Sequence, residues 1–166
     1  RRGLLRTRVL GPELDVRRDD PVPRPPSSAT ALAFATHDMA TFAGFYGARD
    51  VVLRRRLGLL DAAAARRARS ERTWLLRRLA VTASAPSAGR RTAIRNFCWR
   101  WMATSPARLV LLNLEDSWLE TVPHNVPGTG VEHPNWRHRN RVTLEDLLEN
   151  RRWTATLARV LARSGS

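Results

Sequence analysis

The stretch Ala31–Asp38, ALAFATHD, decides the fold that we expect for this chain. Its beginning, Ala31–Ala35, is entirely apolar, and a short apolar run bounded by polar residues is typical of a strand buried on both faces. Two polar side chains, His37 and Asp38, follow directly. Parallel α/β sheets and barrels carry their active-site residues at the carboxyl ends of such strands. The stretch therefore predicts a buried strand with a candidate site at its end.

A second buried strand is predicted over Arg108–Leu114, RLVLLNL, which ends in Glu115 and Asp116. The same geometric argument makes both carboxylates candidates, although the start of a helix is the favoured role. A short apolar segment, Leu4–Leu10, precedes a proline-rich stretch over residues 11–30. Because proline lacks the amide donor and restricts the residue before it, we expect residues 11–30 to form a loop without a helix.

Helices are predicted between and after these strands. From Val51 to Val81 apolar residues recur at three- and four-residue steps, and Asp61 is the expected N-cap of the second of two helices there. The recurring residues include Leu53, Leu57, Leu60, Trp74, Leu75 and Leu79. Another helix is expected over Arg91–Ala103, and Thr143 with Asp146 forms a capping-box start to a last helical region. Strands alternating with helices predict an α/β fold with parallel strands.

Composition excludes several classes of protein. The chain has 166 residues, about the size of one domain, with 29 basic and 15 acidic residues and a net charge of +14. Every basic residue is arginine. The codon usage of a GC-rich genome explains this bias better than selection for nucleic-acid binding does. The single cysteine, Cys98, allows neither an internal disulfide nor a thiolate zinc cage. No apolar run approaches the roughly 18 residues of a membrane span, and we expect no secretory signal.

The adjacent residues His37 and Asp38 have two interpretations. They could bind a hydroxyl group and present a carboxylate to developing positive charge, or Asp38 could cap the next helix with His37 as a surface neighbour. Strand alternation places neighbouring side chains on opposite faces. We therefore do not expect a hydrogen-bonded dyad of the two side chains.

The segment 121–141 holds the remaining polar candidates. Its histidines and Glu132 match no common metal-binding spacing, so no metal site is predicted; they are His124, His133 and His138. Trp136 lies in a loop-like context, where its indole could stack on a sugar ring or a base. Anchoring of the loop is the alternative.

Four ordered motifs carry a resemblance to a known family. They are Ala35–Gly44 (ATHDMATFAG), Leu109–Asp116 (LVLLNLED), Asn125–Thr129 (NVPGT) and Glu132–Arg139 (EHPNWRHR). In this order they resemble the 4-α-glucanotransferases, the amylomaltase or disproportionating-enzyme family, glycoside hydrolase family 77. The resemblance runs from Gly3 to Leu161 and corresponds to the C-terminal part of such an enzyme.

The resemblance implies a fold, an activity and site residues. The expected fold is the C-terminal part of a (β/α)8 TIM barrel, about strands 6 to 8 with their helices, over residues 1–166. The family transfers α-1,4-glucan segments between malto-oligosaccharides with retention and without cofactor or metal. It implies that Asp38 is the third carboxylate, which stabilises the transition state, that His37 hydrogen-bonds the same sugar, and that Asn125 lines a sugar subsite in the substrate-side loop 121–141. A cytoplasmic location is expected.

The family's other two carboxylates have no counterpart that we identify. We identify no Arg-x-Asp nucleophile motif and no Glu-Asp-Leu-Gly acid/base motif upstream, and Glu13 and Asp15 in the proline-rich stretch match neither. The chain also begins without methionine. We therefore expect a portion of a longer enzyme, inactive alone, with α-glucan and the missing N-terminal part as partners. The alternative is a non-catalytic carbohydrate-binding remnant or a basic nucleic-acid-binding module.

Overall fold

The computed structural model describes residues 3–162 of the chain. Three strands and seven α-helices alternate along these residues, with one 3-10 helix after the third strand. They are β1 Arg6–Val9, α1 Leu10–Glu13, β2 Thr30–Ala33, α2 Phe42–Tyr46, α3 Arg49–Arg56, α4 Ala62–Thr82, α5 Arg90–Thr104, β3 Leu109–Leu111, the 3-10 helix Leu114–Trp118, α6 Leu144–Glu149 and α7 Arg151–Leu161. The predicted α/β class with parallel strands is confirmed.

The three strands form one parallel sheet in the order β1-β2-β3. Thr30 of β2 pairs with Arg6 of β1, and Ala31 pairs with Leu109 of β3. Because β2 is the central strand, the apolar run that begins there is buried, with Leu32 fully inaccessible and Phe34 only 2% exposed. The buried strand predicted from Ala31–Ala35 is confirmed.

The core lies between the sheet and helices α4 and α5. Its largest fully buried side chain is Trp99 of α5, which packs in one cluster with Leu79 of α4, Phe42 of α2 and Leu32 of β2. Helix α7 contributes Leu157 to the edge of this cluster and packs against α5. The helices thus cover the sheet, while the loops after each strand remain free to build a site.

Local capping signals were predicted correctly. The carboxylate of Asp61 accepts a 2.7 Å hydrogen bond from the amide of Ala64 at the start of α4. Thr143 and Asp146 exchange the two bonds of a capping box at the start of α6. Such signals depend only on residues three positions apart, so no tertiary information is needed to find them.

Three expectations about the fold are wrong. The first is that residues 11–30 contain no helix. Helix α1 occupies Leu10–Glu13, because Pro12 falls in its first turn, where no amide donor is required. Trp74, assigned to the apolar stripe, is 57% exposed, while Leu75 and Leu79 beside it are buried. The third expectation concerns β3.

Strand β3 is an exposed edge and not the buried strand that was predicted. Leu109 and Leu111 are 45% and 47% exposed, and only Val110 between them packs against the core. Within residues 3–162 no further strand pairs with the outer side of β3. An unpaired edge with apolar side chains is a template for association with another chain.

Replacing both Leu109 and Leu111 by lysine is expected to reduce self-association of the 166-residue chain. Lysine on an edge strand discourages edge-to-edge pairing. Light scattering coupled to size-exclusion chromatography would show a mass that rises with concentration for the unaltered chain and a monomer mass for the double variant. Val131→Lys, which adds charge at a fully exposed loop position, is the control. Equal masses for all proteins would contradict this role of β3.

Candidate functional site

The candidate site begins where β2 ends. Phe34 and Ala35 continue the buried run, and Thr36 accepts a 3.1 Å backbone hydrogen bond from Met39 that closes a turn. Asp38 lies in this turn with 47% of its side chain exposed. The chain therefore changes from buried strand to accessible turn within a few residues, as the polar residues after Ala35 predicted.

Asp38 does not cap the following helix. The N-cap of α2 is Thr41, whose hydroxyl oxygen accepts a 3.1 Å hydrogen bond from the amide of Gly44. The same hydroxyl donates a 2.5 Å hydrogen bond to the carbonyl oxygen of Glu120. The alternative interpretation of Asp38 as a helix cap is therefore wrong, and its carboxylate is available for other contacts.

The side chains of His37 and Asp38 lie close together but do not form the hydrogen-bonded dyad that strand alternation argued against. The Nε2 atom of His37 lies 3.5 Å from Oδ2 of Asp38. Alternation holds only within an extended strand, and β2 has ended at Ala33, so the turn is free to bring the two side chains together.

Asn125 is the second residue brought to Asp38. Its Nδ2 atom donates a 2.7 Å hydrogen bond to Oδ1 of Asp38, across 87 residues of sequence. With His37 at Oδ2 and Asn125 at Oδ1, the carboxylate of Asp38 is oriented from both sides. All three residues singled out as site residues thus lie together at the carboxyl end of the sheet.

Bonds within segment 121–141 hold Asn125 in place. The side-chain oxygen of Asn135 accepts from the amide of Val126 at 3.0 Å, and its amide group donates to Oγ1 of Thr129 at 2.8 Å. The amide of Trp136 donates to the carbonyl of His124 at 2.8 Å. These contacts flank Asn125 on both sides, so an irregular segment presents a defined side chain.

Trp136 stands beside the same carboxylate with its indole exposed. Its ring centroid lies 5.3 Å from that of His37, and 62% of the residue is accessible. Its backbone has φ of +61°, a left-handed conformation that is unfavourable for a bulky residue. Such conformations persist only where the surroundings impose them, and they cluster at binding sites.

A cavity of about 340 Å³ opens next to Asp38 and Asn125. Its walls are mainly apolar and come from α1, from the residues that follow β2, from helices α2, α3 and α4, and from the 123–127 segment. Phe45 lies on one wall, with the guanidinium of Arg72 3.7 Å from its ring centre and ion-paired to Asp50 at 3.2 Å. A concave, mostly apolar cavity with a few convergent polar groups is a typical binding site for a small organic ligand.

The histidines of segment 121–141 do not form a metal centre. His124 faces Glu115 at 3.4 Å and His138 faces Glu120 at 3.6 Å, so these two imidazoles face different carboxylates. Among the described residues no three His, Cys, Asp or Glu side chains converge as metal ligands. Likewise, no helix in residues 3–162 has the length and apolarity required to cross a membrane.

Asp116 has a buried role that the sequence did not indicate. It lies in the first turn of the 3-10 helix, as the favoured interpretation predicted, but its side chain is completely buried and accepts a 2.7 Å hydrogen bond from the amide of Phe42. Burial raises the pKa of this carboxyl to about 7. Arg95, 4% exposed, donates to the carbonyl of Asp116 at 3.0 Å. A long-range contact of this kind leaves no local sequence signal.

Cys98 is not a candidate nucleophile. It is buried in α5 with 1% exposure, and burial raises the pKa of its thiol to about 12. Reactive cysteines require the thiolate form and access. This leaves the exposed carboxylate of Asp38, with His37 beside it, at the centre of the site.

Comparisons with known proteins agree on one family. A family model described as 4-alpha-glucanotransferase, glycoside hydrolase family 77, matches residues 1–144. The 4-alpha-glucanotransferases of Mycobacterium bovis and Mycobacterium tuberculosis are each 34% identical to this chain over an alignment 175 residues long, which covers 95% of the chain and 24% of the relative. The chain therefore spans about a quarter of the length of these relatives.

One solved structure has the same fold. The crystal structure of amylomaltase from Corynebacterium glutamicum matches with a TM-score of 0.74 at 24% sequence identity, covering 96% of this chain and 26% of the amylomaltase. At this identity the match establishes the shared α/β fold of the aligned region.

Proposed function

This chain belongs to the 4-alpha-glucanotransferase family, glycoside hydrolase family 77, and from that premise we propose that it forms part of a catalytic (β/α)8 barrel acting on α-1,4-glucans. β1, β2 and β3 would supply about the sixth to eighth strands. The observation that carries the proposal is the contact between Asp38 and Asn125 at the mouth of the cavity, 2.7 Å between amide nitrogen and carboxylate oxygen. This orients a carboxylate at the end of the sheet where barrels bind substrate.

The reaction we propose is transfer of a glucan segment with retention. A nucleophilic carboxylate displaces the leaving sugar while an acid/base carboxyl protonates its oxygen, and an acceptor hydroxyl then attacks the glycosyl–enzyme intermediate. Asp38 is neither of these groups. Its negative charge would lie near the oxocarbenium-like carbon and its oxygens would accept hydrogen bonds from sugar hydroxyls, so it stabilises the transition state more than the ground state.

His37 and Asn125 would bind the same sugar and fix Asp38. Asn125 donates to Oδ1 of Asp38 and His37 lies against Oδ2. These two contacts fix the orientation of the carboxylate before the substrate binds. Orientation achieved before binding reduces the cost of ordering the site during the reaction. No metal or organic cofactor is needed for this chemistry.

The chain alone would bind glucan without transferring it. The letters Arg-x-Asp do occur at Arg17–Asp19 and Arg18–Asp20, but Asp19 and Asp20 are exposed in the loop between α1 and β2, far along the chain from a strand end. Glu145–Asp146–Leu147 is followed by Leu148 and not by the glycine of the acid/base motif. Without a nucleophile no covalent intermediate forms. We also propose a cytoplasmic location.

The test is to compare binding with turnover for the 166-residue chain. We expect calorimetry to detect binding of maltoheptaose but not of cellohexaose, because 4-alpha-glucanotransferases act on α-linked chains. We expect no glucose to form from maltotriose. Efficient disproportionation would refute the inactivity of the chain alone, and equal binding of both oligosaccharides would refute an α-glucan site. Binding of oligonucleotides that falls steeply with salt, without any maltoheptaose binding, would favour the nucleic-acid alternative.

Trp136→Gly should separate a stacking role from loop anchoring. Glycine adopts a φ of +61° without strain, so the substitution should leave the melting temperature unchanged or raise it. Loss of an exposed stacking surface should weaken maltoheptaose binding roughly threefold to tenfold. Calorimetry and a thermal melt on the same sample measure both effects. A lower melting temperature with unchanged affinity would assign Trp136 to loop anchoring.

A further inference from the structure

We propose that Asp116 is a positioning residue for the Asp38–Asn125 pair, holding the turn that carries Asp38 against the segment that carries Asn125. The consequence of this positioning role for sugar binding rests on the function proposed above. The positional claim itself concerns only contacts within the chain and can be tested without any sugar.

The first contact joins Asp116 to the start of α2. The amide of Phe42, the first residue of α2, donates to Oδ1 of Asp116 at 2.7 Å. Amides in the first turn of a helix have no acceptor within the helix, and here a fully buried carboxylate from another element supplies one. Phe42 is four residues after Asp38, so this bond fixes one end of the Asp38 turn.

A second contact lies alongside the first. Thr41, 2% exposed, donates through its hydroxyl to the carbonyl of Glu120. Gly44 approaches so closely that an added Cβ would lie 3.0 Å from the carbonyl oxygen of Thr121. Residues 41–44 therefore pack directly on residues 116–121, which lead to Asn125. The two halves of the site can keep the 2.7 Å contact of Asp38 and Asn125 only while this packing holds.

The far side of Asp116 is anchored to the core. Arg95 of α5 is buried and donates through one Nη atom to the carbonyls of Asp116 and Ser117, at 3.0 and 2.9 Å. Its guanidinium lies 4.6 Å from the ring centre of Trp99. The backbone of the 3-10 helix is thus held to α5 by hydrogen bonds. The side chain of Asp116 in turn accepts the hydrogen bond from α2, so α2 is linked to α5 through Asp116.

The carboxylate itself is incompletely satisfied. Its Oδ2 atom is buried without a hydrogen-bond partner in the part of the chain that the structure describes. Burial raises the pKa of Asp116 to about 7. The hydrogen bond from the amide of Phe42 in α2 lowers this pKa, the neighbouring carboxylate of Glu115 raises it, and Arg95 of α5 lowers it. His124 is paired with Glu115 at 3.4 Å. Ionisation strengthens the acceptor at Oδ1, so the bond to Phe42 should strengthen as the pH rises through about 7.

The experiment is an NMR titration of the full 166-residue chain, following the backbone amide of Phe42 and the side-chain amide of Asn125. In the unaltered protein both signals should move with a common midpoint near pH 7. Asp116→Asn keeps the shape and one acceptor oxygen, so both signals should stay near their native positions but lose the titration. Asp15→Asn, in the loop after α1, is the control and should leave the titration intact.

The outcomes separate this proposal from the proposed function. Asp116→Ala should displace the NMR signals of Phe42 and Asn125 and weaken maltoheptaose binding about tenfold. Asp116→Asn should weaken maltoheptaose binding only about twofold to threefold. If Asp116→Ala does not fold, the loss of titration in Asp116→Asn decides the matter alone. An Asn125 signal that ignores both pH and Asp116→Asn would overturn the positioning role. Absence of maltoheptaose binding by the unaltered chain would overturn only the proposed function, because both NMR signals remain measurable.

Discussion

Replacing Asp38 by alanine is expected to weaken maltoheptaose binding to the 166-residue chain by about tenfold to a hundredfold. Hydrogen bonds to a charged group contribute roughly 1.5–3 kcal/mol, and each 1.4 kcal/mol corresponds to about a factor of ten. The loss should be larger than for any neighbour, since Asp38 is the acceptor on which Asn125 and His37 converge. Isothermal titration calorimetry measures the change directly.

Stability should hardly change in Asp38→Ala. About half of the side chain is exposed, and surface substitutions of this kind usually alter the free energy of unfolding by less than about 0.5 kcal/mol. Asp19→Ala, an exposed aspartate in the loop between α1 and β2, is the matched control for the loss of one negative charge. Equal affinity of Asp38→Ala and the unaltered protein would remove Asp38 from the site.

A double-mutant cycle tests whether Asp38 and Asn125 act together. Asn125→Ala alone should weaken maltoheptaose binding less than Asp38→Ala, because it removes the donor that orients Asp38 but leaves the negative charge of Asp38 in place. In the double variant the two losses should not add, since residues in direct contact share one interaction energy. Additive losses would show that each side chain binds sugar independently of the 2.7 Å bond between them.

Local signals in the sequence accounted for much of the fold. The apolar run Ala31–Ala35 predicted the central strand because complete burial requires apolar residues on both faces. Asp61 predicted the start of α4 because capping depends on residues three positions apart. The apolar side chains of Leu109 and Leu111 predict a buried strand, but burial depends on which elements lie beside β3, and the local sequence does not contain that information.

The contacts of the candidate site could be predicted only in part from the sequence, for a related reason. Asp38 could be singled out from its place after a buried strand, but Asn125, 87 residues away, entered only through the family resemblance. The bond from Phe42 to Asp116 and the buried Arg95 had no signal at all, since arginine in a helix is usually solvent-exposed. Contacts between distant loops follow from the packing of the whole sheet and its helices.

Trp99→Ala is expected to give the largest loss of stability, about 3–5 kcal/mol in the free energy of unfolding. Trp99 is 1% exposed and is the largest fully buried side chain. Its removal leaves a cavity among residues of α4, α2 and β2 and takes away the ring on which Arg95 stacks at 4.6 Å. Arg95 then loses part of its packing, and the 3-10 helix loses support where Asp116 holds α2.

The same substitution at Trp74 provides a control of matched chemistry. Trp74 is 57% exposed on α4, so Trp74→Ala should cost less than about 1 kcal/mol. For a chain of this size each 1 kcal/mol lowers the melting temperature by about 2–4 °C, so Trp99→Ala should melt roughly 10 °C below Trp74→Ala. Maltoheptaose binding should weaken in Trp99→Ala even below its melting transition, because the loss of Trp99 removes packing from Arg95, which holds the 3-10 helix that carries Asp116. Comparable melting temperatures for the two variants would show that α5 does not pack on the sheet through Trp99.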